Sequence, residues 1–482
     1  MIVKTGVPRM NILYINYGQA GNNTTHHMAG FALAAKEAGH ELAMAAPKGE
    51  GEWPLRPGLA MPLFNYRTGS QWEKVFKDGR PPGLVHAFTP REGVREFVFS
   101  LYRQGLQAAL ILHLEDNEVA LMERFSGKTL EELRLPEAAE ARDDLGPGLC
   151  CPLRWQPFLA LADGVTVIYP TLADFVPPGV PWCGVAPILD LDFFSPRPPD
   201  EARKQALGIP SGSSVLCYSG NDHYANLEDV RQLYTLVHRL NQAGVPTKLV
   251  RTGKLDPAVA AGLDFDPMQF MIPLGFVNRE ELPTIMSLCD VFVQPGGDDG
   301  FNRYRLPAKV PEYLCLGKPV ILGPANIAAE LTHGVNAWIT PHGSTEEMIE
   351  ACRTLLGQPA LRESMGKAAR EFAVRRFGLE AQGGLVVSFY EETVARAAAR
   401  TGPRGLGAPC WPLPATESAA LAAFLGDEAA DLRCQLDEMK QQLKAEKKAA
   451  EPDRKRLAAI QGSVAWKLAK PFHSIEKKLR GK

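Results

Sequence analysis

Apolar positions in this chain come in short unbroken runs, with little alternation of apolar and polar residues. "NILYINY" (Asn11–Tyr17), "GLVHAF" (Gly83–Phe88), "AALILHL" (Ala108–Leu114) and "GVTVIYP" (Gly164–Pro170) are each bounded by Gly, Pro or polar clusters. Such runs predict parallel strands covered on both faces. Between the first strand and "HELAMAAP" lie a loop, "GQAGNNTTHH", and a helix running through Ala38 and ended by Gly39. That is a βαβ opening, for which a right-handed crossover is expected. The pattern breaks at "DLDFFSPRPPDEARKQALGIPSGSS" (Asp190–Ser214), rich in Pro, Ser and charge. An interdomain linker is predicted there. A second series then begins: "SVLCYSG", the helical "NDHYANLEDVRQLYTLVHRLNQAG", "TKLVRTG", "DVFVQPG" and "KPVILGP".

Two successive α/β series predict an α/β fold of two Rossmann-like domains facing each other across a cleft, with a C-terminal helical and coiled-coil extension. Ligands in such folds bind beyond the carboxyl ends of the strands. The expected boundaries are 10–192 for the first domain and 193–398 for the second with its closing helices. A linker at 399–418, a coiled coil at 419–451 and a basic amphipathic tail at 452–482 complete the division. The coiled coil rests on Leu425, Ala429, Leu432, Leu436, Met439 and Leu443, which alternate spacings of four and three. The tail carries nine Lys/Arg against two acids after Pro452.

Length and charge agree with this. A chain of 482 residues exceeds one core. A net charge of −2 argues against nucleic acid as a partner. No apolar run reaches membrane-span length, and "MIVKTGVPRM" lacks the apolar core of a signal peptide. Nine cysteines without a C-x-x-C pair suit buried thiols in a reduced cytoplasm.

Several stretches resemble the retaining, nucleotide-sugar-dependent glycosyltransferases of the GT-B fold, in particular their large fourth family. The resemblance spans roughly Asn11 to Val394. It is carried by "GQAGNNTTHHMAGFALAAKEAGHEL", "VHAFTP", "ILHLEDNE", "PILDLDFFSP" and, most closely, "GVNAWITPHGSTEEMIEACRTLLGQPALRESMGKAAREFAVRRF". It implies a transferase in cell-surface polysaccharide synthesis that moves a sugar from a nucleoside-diphosphate donor to a glycan or lipid-linked acceptor, with retained configuration. It implies no bound metal and no cofactor beyond the sugar nucleotide.

Residue by residue, the resemblance assigns Glu312, in "RLPAKVPEYLCLGKPVILGP", to the ribose hydroxyls. A carboxylate can accept two bonds from a vicinal diol; the alternative is that Glu312 caps its own helix. The family's second carboxylate, eight positions earlier, is replaced here by Tyr304. Asp299, thirteen positions before Glu312, is the substitute candidate for the sugar, or else a turn residue. The usual basic pair is missing from "SGNDHYANLED". Gly220 and Asn221 would offer amides there, and Arg305 and Lys309 the positive charge, unless those two form a solvated basic face. His113 would meet the donor sugar or serve structurally; His86 is the more structural of the two. Gly21 and Asn22 would turn amides towards phosphate, or make a plain turn and N-cap. His26 and His27 lie one turn into that helix and show too few ligands for a metal.

The tail resembles a Ser-x-x-Trp-[Arg/Lys]-Leu-x-x-Pro ending of bacterial surface-polysaccharide proteins. Trp466, Phe472 and several lysines suit an anionic membrane surface, or else a solvated end. The expected location is cytoplasmic, peripheral on the inner face of the membrane, with homodimerisation through the coiled coil. Two rival readings remain: a non-catalytic scaffold of the same fold, favoured by Tyr304 and the missing basic pair, and another sugar-nucleotide enzyme such as a non-hydrolysing epimerase.

Overall fold

A computed structural model describes residues 9–56, 58–68 and 75–400. The predicted coiled coil and basic tail, and the linker beyond Arg400, lie outside the described residues. The first sheet comprises β1 (Asn11–Ile15), β2 (Glu41–Ala46), β3 (Gly51–Arg56), β4 (Leu59–Asn65), β5 (Leu84–Phe88), β6 (Ala109–Leu114), β7 (Gly164–Val167) and β8 (Trp182–Gly184). Its order is β3-β4-β2-β1-β5-β6-β7-β8, parallel except for the β3–β4 hairpin. The second sheet comprises β9 (Ser214–Ser219), β10 (Thr247–Thr252), β11 (Met271–Pro273), β12 (Val291–Gln294), β13 (Val320–Leu322) and β14 (Trp338–Ile339), in the order β11-β10-β9-β12-β13-β14, all parallel.

The apolar runs are the middle strands, as the unalternating pattern requires. Every residue of β1 and β5 is buried. The chain reverses winding direction between β1 and β5 in the first sheet and between β9 and β12 in the second. Crevices at the carboxyl ends of strands open at such switch points. The loops after β1 and β9 therefore hold the natural binding positions.

The last helix, Leu379–Ala398, departs from the sequence-based division. The sequence allots it to the second domain, yet it packs on the first helix (Asn23–Glu37) and β6 of the first sheet. Tyr390 buries its hydroxyl there, 2.7 Å from His86 Nδ1 and 3.3 Å from the Tyr14 hydroxyl. Gln382 Oε1 accepts the Ala186 amide at 3.1 Å. Gly164 makes room for this helix: a Cβ at that position would stand 2.8 Å from the Phe389 ring. The linker is also structured, with a short helix at Glu201–Ala206. Arg370 ties its start to the body by donating to the carbonyls of Leu191, Phe194 and Cys315.

Candidate functional site

The loop after β9 is held open by two glycines. Gly220 has φ +129° and Gly253, after β10, has φ +87°. A Cβ on Gly253 would lie 2.5 Å from the Gly220 carbonyl oxygen. Only glycine permits both this close approach and the positive φ. Asn221 Oδ1 accepts the Lys254 amide at 2.8 Å, and the Asn221 carbonyl accepts from Asn226 Nδ2 at 3.1 Å. Asn221 thus fixes the loop by its side chain, and Gly220 keeps its backbone free of side-chain cover.

Positive charge gathers against this loop. Lys309 opens the helix Lys309–Cys315. Its Nζ sits 3.5 Å from the centre of the Tyr218 ring and 3.2 Å from where a Gly220 Cβ would be. Arg251, the fifth residue of β10, brings its guanidinium to 4.5 Å from the same ring. It is fully buried and paired with buried Asp222. Arg305 is 12% exposed in its side chain, and its Nη1 stands 3.9 Å from Asp229 Oδ2, too far for a hydrogen bond. Arg251 Nε and Nη1 and Arg305 Nη1 are buried without a hydrogen-bond partner among the described residues. Burial, and then Arg305 and Arg251, push the Lys309 ammonium well below the usual lysine range. Burial raises Asp229 to about 6 although Arg305 opposes the shift. Lys309 and Arg305 are therefore no solvated basic face. Basic groups with unsatisfied N–H groups, set beside the carboxylates of Asp222 and Asp229, surround one loop and could take an anionic ligand.

Glu312 lies one turn beyond Lys309. Its side chain is 14% exposed, with Arg279 Nη1 4.0 Å from Oε1. Burial lifts its carboxyl to about 7, against the pull of Arg279 and Lys309. The helix start is formed by Ala308 without a side-chain cap, so the capping alternative for Glu312 is not realised.

Two sequence-based candidates are placed elsewhere. Asp299 Oδ1 accepts the amides of Phe301 and Asn302 at 2.8 and 2.7 Å. Its Oδ2 takes Asn302 Nδ2 at 3.2 Å and pairs with Arg124 at 3.3 Å. Both oxygens are engaged, in a turn and in a bridge to the first domain. The same segment bridges through the Tyr304 hydroxyl donating to Asp174 at 2.8 Å, Thr171 Oγ1 donating to the Arg303 carbonyl at 3.2 Å and Asn117 Nδ2 donating to the Gly300 carbonyl at 2.8 Å. His113, expected at the cleft, has no exposed surface. Side chains alternate along a strand, so His113 shares the face of Ile111, beneath the first helix. There its Nδ1 lies 2.8 Å from Thr166 Oγ1, and its ring packs on Phe31, Phe88 and His27.

Gly21 and Asn22 sit at the carboxyl end of β1 but follow the turn and N-cap alternative. Asn22 Oδ1 accepts the Thr25 amide at 2.9 Å, and the Gly21 amide meets Thr25 Oγ1 at 3.3 Å. His86 is structural, held between Tyr390 and Thr166 Oγ1. Sequence reasoning missed Arg251 and Arg279. A charged residue inside the apolar run "TKLVRTG" was the available signal for Arg251; Arg279 has none.

Residues 213–358 match the family model for glycosyl transferases group 1. That segment holds Gly220, Arg251, Lys309 and Glu312. A D-inositol 3-phosphate glycosyltransferase of Saccharomonospora viridis is 26% identical over 228 residues, 44% of this chain and 50% of the relative. An alpha-D-kanosaminyltransferase of Streptomyces kanamyceticus is 28% identical over 120 residues, 24% of this chain and 30% of the relative. The matched segments thus span half or less of these relatives. Among solved structures, sucrose-phosphate synthase of Thermosynechococcus elongatus superposes with a TM-score of 0.59 at 16% identity, covering 80% of this chain and all of that one. Anabaena HepE, solved with UDP-glucose, gives 0.58 at 16% identity, covering 80% of this chain and 100% of its own. WaaG, a glycosyltransferase involved in lipopolysaccharide biosynthesis, gives 0.53 at 16%, covering 81% and 100%. The fold is GT-B, and residues 213–358 resemble the glycosyl transferases group 1.

Proposed function

We propose that the chain transfers a sugar from a nucleoside-diphosphate sugar to a glycan or lipid-linked acceptor in cell-surface polysaccharide synthesis. The observation that carries this reading is the set of underpartnered cations at the Gly220 loop, one helical turn from the buried Glu312. A diphosphate would satisfy the N–H groups of Arg305 and favour the charged form of Lys309. A ribose would then lie within reach of Glu312, displacing its loose contact with Arg279. The donor class is supported by the likeness to HepE, solved with UDP-glucose.

As the bond from sugar to diphosphate lengthens, negative charge grows on the leaving oxygen. Lys309 and Arg305 are already fixed beside it, so their stabilisation needs no reorganisation. With Asp299 engaged elsewhere and an amide-rich loop in place of a nucleophilic acid, retention would follow from attack on the same face of a short-lived glycosyl cation. The cations take the part that a bound metal plays in other diphosphate sites, so transfer itself would need no metal ion. His113 would contribute by supporting β6 and not by touching the sugar.

Glu312→Gln is expected to weaken nucleoside-diphosphate binding by about 1–3 kcal/mol, the worth of charge-assisted hydrogen bonds, measured by calorimetry. The same change should alter the pH dependence of stability. The folded protein holds a proton on Glu312 up to about 7, above its unfolded range. Glu312 therefore favours folding at low pH, and that contribution is lost as pH rises through about 7. The Gln variant should lack this decline in thermal midpoints between pH 5 and 8. A variant with native nucleotide affinity would end the ribose role.

No helix of the described residues is long and apolar enough to cross a membrane. Membrane attachment is assigned to the tail. Deleting residues 452–482 is expected to leave nucleotide affinity intact and to abolish cosedimentation with anionic liposomes, an attraction that should fade with salt. A full-length chain that ignores such liposomes at low salt would remove the membrane from the account.

The direct test of activity is release of nucleoside diphosphate from UDP-, GDP-, ADP- and dTDP-sugars, with and without a lipid-extract acceptor. Turnover of one donor class is expected, with the anomeric configuration of the product retained by NMR. Tight nucleotide binding without any turnover would favour the scaffold reading, to which the engaged Asp299 and the Tyr304 substitution lend support.

A further inference from the structure

Beneath the first helix, three side chains converge that the proposed transfer does not bring to the sugar or the diphosphate. His27, from the first helix, His113, from β6, and Glu115, just past the end of β6, each offer a ligand atom within 4.8 Å of the others. His27 Nε2 and His113 Nε2 are both buried with no hydrogen-bond partner among the described residues. The His113 nitrogen, unpartnered in an aromatic box, is costly to leave unsatisfied. We propose that His27, His113 and Glu115 form a site for one zinc-class divalent cation, with a fourth position open towards the cleft.

The supporting groups fit this. Glu115 Oε2 accepts from Thr24 Oγ1 at 2.6 Å, which orients the carboxylate. Its Oε1 is 3.3 Å from His27 Nδ1. That is long for a hydrogen bond to a carboxylate, yet it is about the edge of a tetrahedron with metal bonds of roughly 2.0–2.1 Å. His113 Nδ1 faces Thr166 Oγ1, and Thr166 Oγ1 in turn faces His86 Nε2 at 3.0 Å. Thr166 has one proton to give. If it donates to His86, His113 donates to Thr166 and leaves Nε2 as a bare lone pair. If it donates to His113, the His113 Nε2–H is buried with no acceptor. Only the first arrangement spares His113 a stranded donor, and it is the tautomer a metal requires.

Two histidines and one carboxylate with an open position is a known zinc donor set. Access is built in, because the Glu115 side chain is 12% exposed and the His27 side chain 7%, while His113 closes the floor. The ion would clamp the first helix to β6. The helix bears the Asn22 turn at its start and packs on the returning last helix, so the clamp would hold the first domain's half of the crevice in place.

The test uses the untagged full chain, stripped with chelator and titrated with Zn²⁺ by calorimetry and with Co²⁺ by visible absorption. One equivalent is expected to bind, with a four-coordinate cobalt spectrum and a raised thermal midpoint. Glu115→Gln should weaken uptake by about 100-fold or more, the upper end of what loss of a mere supporting group costs. His27→Gln serves as the second variant should the first fail to fold. Two results would overturn the site: a native chain that takes up neither ion, or equal uptake by the native chain and the folded variants, which would assign the metal to the cysteines.

Discussion

Lys309→Met is expected to slow sugar transfer by about 10²–10³-fold, the usual effect of removing a preorganised group from developing charge, while leaving the nucleotide-free protein at least as stable as the native one. Both signs come from the same geometry. The ammonium is buried against Tyr218 beside Arg305 and Arg251, and its protonated form is disfavoured in the folded state. The unfolded chain then binds more protons than the folded one between the lowered value and the ordinary lysine range. Native stability should therefore rise with pH across that interval, and the Met variant should not show the rise. An incoming diphosphate reverses the cost by returning a counter-charge to the site. Calorimetry in buffers of different ionisation enthalpy should detect more proton uptake when the native protein binds nucleotide than when Lys309→Met does. A variant destabilised at neutral pH but catalytically normal would make Lys309 a structural residue.

Asp222→Ala is expected to destabilise the second domain by about 3–5 kcal/mol, because it leaves Arg251 charged and alone in the interior. Neither side chain of the pair has exposed surface. Asp222 also accepts the Asp256 amide at 3.1 Å, so its loss loosens the turn after β10 as well. The double variant Asp222→Ala, Arg251→Met should recover much of the loss, since replacing both members of a buried pair with apolar groups is often neutral. Its nucleotide affinity should stay low, because a cation of the cluster has gone. Denaturant unfolding of the three proteins separates these effects. A single variant as stable as the native chain would show that Arg251 finds another acceptor.

How far the sequence could be read depended on how local each determinant was. The central strands were legible because burial on both faces leaves continuous apolar runs. The edge hairpin β3–β4 was not, since "GEWPLR" and "LAMPLFN" carry prolines and are only partly buried. The three-residue β11 and two-residue β14 are too short to show a period. Glu312, Lys309 and Arg305 stood out as charges heading an apolar segment, and they do gather near one loop. Asp299 and His113 lie in surroundings the sequence did not show, for different reasons. The fate of Asp299 is decided by its turn closing on its own carboxylate and by Arg124, 175 positions away in the chain. That of His113 is decided by strand parity, which shifts to the opposite face with an error of one residue in the strand. The return of the last helix to the first sheet rests on the Tyr390–His86 and Gln382–Ala186 contacts, which no local pattern encodes.

The Gly220 loop, its cations and Glu312 are proposed to form one nucleoside-diphosphate site. The most direct measurement is the thermal midpoint of the native chain, Lys309→Met and Glu312→Gln against UDP, GDP, ADP and dTDP. At about 100 times its dissociation constant, a true ligand adds about 2.7 kcal/mol of stability. At least one nucleotide is expected to raise the native midpoint, and both variants to lose most of that rise. A native chain unmoved by all four, or variants that respond as it does, would contradict that site.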